Sequence, residues 1–75
     1  MNKQRRASLK TALTMLESAA EIIRTCSEEE SDSLSNMPES LQESDAGCEM
    51  SDNIESMDEA ADEIDSAIDT IENLL

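Results

Sequence analysis

Across the last twenty-six residues an apolar side chain recurs at alternating intervals of four and three: Met50, Ile54, Met57, Ala61, Ile64, Ile68, Ile71 and Leu75. That is the a/d seam of a heptad, written abcdefg, kept for more than three repeats, and it predicts an α-helix that packs on another helix. Ala60, Ala67 and Leu74 add a stripe at g. The apolar face is therefore wider than a two-stranded seam requires.

The composition pulls the other way. From Thr25 to Leu75 there are seventeen Asp and Glu and no Lys, Arg or His. An all-acidic segment is normally unfolded, because too little apolar surface is available to offset chain entropy. Here the heptad is unbroken, so the expected product is a folded rod coated with carboxylates.

The first helix repeats the pattern. Leu9, Leu13, Leu16, Ala20 and Ile23 continue the 4, 3 spacing, with Ala12, Ala19 and Cys26 at g and Met15 and Ile22 at c. The apolar arc covers four of the seven positions, so this helix is expected to touch more than one neighbour. The reading places helix 1 at about 4–30, a hinge at about 31–43 and helix 2 at about 44–74. Glu28, Glu29 and Glu30 are expected to fray the end of helix 1, where the macrodipole is negative. In the hinge, Asn36 is read as a cap, Pro38 as a first-turn residue and Glu39 as its capping-box partner. Ser44 or Asp45 is a second cap. Gly47 is expected to weaken helix 2 by about 1 kcal/mol relative to Ala.

One break between two amphipathic helices predicts an all-α antiparallel hairpin. That direction is expected to set Lys3, Arg5, Arg6 and Lys10 beside Asp65, Asp69 and Glu72. The chain has 75 residues and no aromatic side chain, so its core is small for a monomer. Pairing two hairpins into a four-helix bundle would cover the remaining arc of helix 1, and a homodimer is the expected state.

Chemistry-bearing residues are few. The chain has no His, no Tyr and no Gly-rich phosphate loop, and a smooth rod offers no pocket, so the reading is non-enzymatic with no cofactor. Cys26 and Cys48 form no CxxC pair, which argues against zinc. They flank the hinge, and the hairpin is expected to bring them into about the same layer. Cys48 points outward at b, so reduced thiols are expected. The EF-hand pattern is absent, and no metal site is expected. Lys10 and Glu17 interrupt the apolar stretch that a signal peptide would need. Nothing approaches the roughly 20 apolar residues of a membrane span. The expected location is the cytoplasm.

The candidate site is a row of acids on helix 2. Glu55, Asp58, Asp62, Asp65, Asp69 and Glu72 are spaced 3, 4, 3, 4, 3 and occupy b and e. Consecutive members lie about 4.5–6 Å apart along the axis. A DNA strand repeats its phosphates on a similar scale, at higher axial charge density. The row therefore reads as a nucleic-acid mimic for a basic protein, or, more blandly, as the solvent face of an amphipathic helix. Lys and Arg are missing from this helix, whereas an ordinary surface helix alternates signs to gain i,i+4 pairs. The like-charge repulsion that this helix accepts points to use of the row, or to a salt-rich or cation-rich setting. Lys3, Arg5 and Arg6 are expected to be consumed by acidic neighbours rather than to bind nucleic acid. The partners expected are therefore a second copy and a basic nucleic-acid-binding protein, not nucleic acid or a membrane. The alternative is a structural or assembly protein that acts through its apolar faces.

The stretch Asn36-Met37-Pro38-Glu39-Ser40-Leu41-Gln42, with Asn53-Ile54-Glu55-Ser56-Met57-Asp58-Glu59-Ala60 further on, resembles small acidic two-helix proteins of phages and integrative elements of Firmicutes. The resemblance spans nearly the whole chain, with the seven-residue hinge as its specific part. It implies a small accessory or anti-defence role and brings no known activity.

Overall fold

The computed structural model describes all residues 1–75. It is a rod of 58 × 14 × 12 Å built from α1 (Lys3–Ser35), a one-turn α2 (Glu39–Gln42) and α3 (Asp45–Glu72). α1 and α3 pack along their length, and there are no strands. Arg6 donates to the carbonyl oxygen of Leu75 at 3.3 Å, so the two ends of the chain meet and the hairpin is antiparallel.

α1 opens on Asn2, whose Oδ1 accepts from the Arg5 N–H at 2.8 Å and satisfies one of the free amides of the first turn. It then runs five residues beyond the expected end. Glu28, Glu29 and Glu30 do not fray it. The dipole penalty is confined to the last turn, which lies further on, and glutamate is a good helix former. The seam of α1 also continues past Ile23 in the same spacing, through Ser27, Glu30 and Leu34.

The hinge residues take other roles than those expected. Asn36 ends α1, its N–H donating to the Asp32 carbonyl at 3.0 Å, and Pro38 precedes α2 as its N-cap. The Pro38 carbonyl accepts from the amides of Leu41 and Gln42 at 2.8 and 3.1 Å. Gln42 Nε2 donates to the Met37 carbonyl at 2.9 Å and closes the turn. Ser44 caps α3, accepting from the Gly47 N–H at 3.4 Å and donating to the Leu41 carbonyl.

Gly47 is the pivot of this corner. It is buried, and a β-carbon there would meet the Gln42 carbonyl oxygen at 2.0 Å and the Gln42 carbonyl carbon at 2.5 Å. α2 folds down on the first turn of α3 through a space that only glycine leaves open. The expected weakening of α3 by this residue is thus outweighed by the close approach that it permits.

The core is a single row. Leu13, Ala20, Ser27, Gly47, Ala61 and Ile68 are the buried residues, and every one occupies position a. The d residues, from Leu9, Leu16 and Ile23 to Met50, Met57, Ile64 and Ile71, are all half-buried. Small residues dominate the a row, and Ala61 is fully enclosed, so the helix backbones approach closely there.

Candidate functional site

Arg24 fixes which sides of the two helices meet. It lies at e on α1, and its guanidinium reaches Asp65 at e and Asp62 at b on α3, the latter at 3.4 Å. In an antiparallel pair, e then flanks e on one side of the seam, and g flanks g on the other. The rod has two unlike sides. One carries the b and e acids. The other carries the g alanines.

All six ladder residues, Glu55, Asp58, Asp62, Asp65, Asp69 and Glu72, are exposed on the first side. The row is not uniform. Ser27 Oγ donates to Asp58 Oδ1 at 2.6 Å, and Arg24 holds Asp62 and Asp65. Glu55, Asp69 and Glu72 have no hydrogen bond or ion pair to another side chain. The ladder is thus a pair of free ends with a middle whose acids are hydrogen-bonded within the hairpin and share one cation.

The hydrogen bond to Asp65 is the largest influence raising the Arg24 pKa above its ordinary value. Desolvation opposes it, while the charge of Asp65 and the hydrogen bond and charge of Asp62 add to it. A folded-state value above the unfolded one gives stability that is fully present below the ordinary arginine pKa. It is lost only as pH rises through the raised value. The clamp is therefore charged at every physiological pH.

The other basic residues do not make the expected pairs. Ser27 with Asp58, Arg24 with Asp62 and Glu30 with Asn53 define the register of the two helices. On that register Asp69 and Glu72 lie level with Leu16 and Leu13, while Lys3, Arg5 and Arg6 lie past the end of α3. The hinge geometry sets this offset, and surface ion pairs are too weak to shift it. The same register sets Cys26 level with Glu59 and Cys48 level with Met37, about 16 Å apart along the axis. They do not share a layer, and the separation exceeds disulfide reach. Both are free and exposed.

The structure adds acids that the linear spacing did not assign. Glu17, Glu21 and Glu28, at e and b of α1, line a groove of about 460 Å³ together with Arg24 and Asp65. The acidic side therefore spans both helices. The signal was present in the α1 heptad, but the pairing of e with e was needed to join it to the ladder. No grouping of acids and cysteines is arranged to hold a metal ion, and no helix is long and apolar enough to cross a membrane. No family model matches the chain, and neither does a curated protein or a solved structure.

Proposed function

We propose that this chain is a non-enzymatic acidic binding protein whose b/e side occupies a positively charged, nucleic-acid-binding surface of another protein. The observation that carries this reading is the gathering of six exposed ladder acids and three acids of α1 on one side of a rod that gives the other side no comparable row. A cationic groove that accepts a phosphate row would meet carboxylates over most of the rod's length. Its arginines would engage Glu55, Asp69 and Glu72 first, because these have no internal partner. Affinity would be electrostatic and strongly salt-dependent. The resemblance to proteins of mobile elements supports a setting in the bacterial cytoplasm, where such a chain would inhibit a host or defence protein.

A second reading, an assembly protein that acts through apolar contacts, is favoured by the exposure of Met15, Ile22 and Leu74. Capture from bacterial lysate on the immobilised chain separates the two. In the first reading the captured proteins are basic, leave at high salt and are displaced by duplex DNA. Retention at high salt, with no displacement by DNA, would reject it in favour of the second.

A further inference from the structure

The side of the rod opposite the acids is unfinished. All eight a-to-d neighbours of the seam that sit at d are only half-buried, and d borders g. Next to them on α1, Met15 is 67% and Ile22 63% exposed, with Ala12 and Ala19 half-buried between. On α3 the register brings Ala67 level with Ala19 and Ala60 level with Cys26. From Ser8 to Cys26 the c, f and g positions of α1 contain no charged residue, in a chain where 32% of residues are charged. This strip is about 27 Å long.

We propose that a second copy of the chain seats on this strip, with α1 antiparallel to α1 of the partner about a two-fold axis level with Glu17. Glu17 itself lies at e, on the far side. The pattern of the strip is self-complementary about that point. Met15 falls level with Ala19 of the other copy, Ile22 with Ala12, and Ser8 with Cys26. Each large side chain therefore meets a small one, as close helix packing requires. The charges that flank the strip on the same face complement each other in this register, because Arg5 at g falls level with Glu29 at c of the other copy. An isologous contact needs such i-to-j and j-to-i matching, whereas an unrelated partner would impose no symmetry on the strip. A parallel pair would instead stack Ile22 on Ile22, Arg5 on Arg5 and Glu29 on Glu29. In the antiparallel dimer both acidic sides face outward, away from each other, so the pairing does not depend on what the ladder binds.

Sedimentation equilibrium should give twice the chain mass. Ile22→Asp should give a monomer of unchanged helicity, since Ile22 is exposed within the single hairpin. Arg5→Glu should weaken the dimer, and Arg5→Glu with Glu29→Arg should restore it. Orientation is read from cysteine chemistry in a Cys48→Ser background. Adding Ser8→Cys should yield a covalent dimer on mild oxidation, through Cys26 of the other copy. The background chain with Cys26 alone should not cross-link, because the two Cys26 residues lie about 27 Å apart in the antiparallel register. A monomer by sedimentation, a covalent dimer through Cys26 alone, or a Ser8→Cys chain that does not cross-link would each overturn the proposal. Glu55→Gln, Asp69→Asn and Glu72→Gln together should leave the mass unchanged, which keeps this test separate from that of the acidic side.

Discussion

Ser27, buried in the a row at 4% exposure, donates its hydroxyl to the exposed carboxylate of Asp58 on the opposite helix at 2.6 Å. The two are 31 residues apart, and each has a different stake in the contact. Removing the buried hydroxyl leaves only an exposed carboxylate, which water solvates. Removing the carboxylate leaves a buried donor in search of an acceptor. Ser27→Ala should therefore change stability by less than about 1 kcal/mol. Asp58→Ala should cost about 1–3 kcal/mol, and adding Ser27→Ala to it should recover most of that loss. Urea unfolding of the four proteins gives the comparison. Equal costs for the two single changes would show that the buried hydroxyl has no preference for Asp58.

At Gly47 two principles predict opposite signs. Helix propensity alone says that Gly47→Ala stabilises α3 by about 1 kcal/mol. The contact with Gln42 says otherwise, because the added carbon would lie 2.0 Å from a backbone oxygen that is held in α2. Overpacking of this kind costs about 1–3 kcal/mol or more. Gly47→Ala should thus lower the melting temperature, while Ala46→Gly, exposed one residue earlier, should lower it only by the propensity term. A stabilised Gly47→Ala protein would mean that α2 can lift away from α3 without loss.

The hairpin was legible in the sequence where the seam is apolar and illegible where it turns polar. Met50 to Leu75 offers an apolar residue at every a and d, so α3 could be read with little error at its ends. In α1 the same register continues through Ser27 and Glu30, which look like the end of a helix in isolation. Asp58 makes Ser27 acceptable in the seam, and Asn53 hydrogen-bonds Glu30 at 3.5 Å. Both partners come from the other helix, beyond the reach of local pattern. The ladder was readable as spacing, but its division was not, because Arg24 reaches it from 38 and 41 residues away. Gly47 was readable only as a weak helix residue, since its need depends on where Gln42 comes to rest.

Arg24 is the one cation that pairs with the acids of the b/e side; Lys10, also at e, makes no ion pair. Arg24→Gln removes the clamp on Asp62 and Asp65 and adds a further unit of uncompensated negative charge. The variant should melt below the parent at low ionic strength. The difference should shrink with added salt, which screens exposed charges beyond about 8 Å at physiological ionic strength. Because the folded-state pKa of Arg24 is raised, the clamp should persist unchanged from neutral pH into the alkaline range. A salt-independent difference between variant and parent would mean that Arg24 acts through the packing of its stem instead.

Ile68 is the bulkiest buried residue of α3, and Asp69 beside it is exposed. Ile68→Ala should cost about 2–5 kcal/mol, at the lower end if the helices close the gap. Asp69→Ala should change stability by no more than about 0.5 kcal/mol. Thermal or urea melts followed by circular dichroism measure both. Similar losses at the two positions would displace the a row from where the burial places it.

The last prediction concerns the ladder. Asp58, Asp62 and Asp65 are already engaged within the hairpin, so neutralising them would change both structure and surface. Glu55, Asp69 and Glu72 are exposed and without internal partners, and they bracket the row. Replacing them by Gln, Asn and Gln removes three charges while keeping shape. Replacing Glu39, Glu43 and Glu49 by Gln removes as many from the hinge end. Each electrostatic contact with a basic groove adds to the salt dependence of binding, as phosphate contacts do in nucleic-acid complexes. Against a basic protein captured by the parent, the ladder variant should therefore bind more weakly and with a shallower salt slope. The hinge variant should bind nearly as the parent does, and both should keep the helicity of the parent. Equal weakening by the two variants would show that total charge, rather than the row, governs recognition. No weakening by either would place the binding on the apolar side, where Met15 and Ile22 lie.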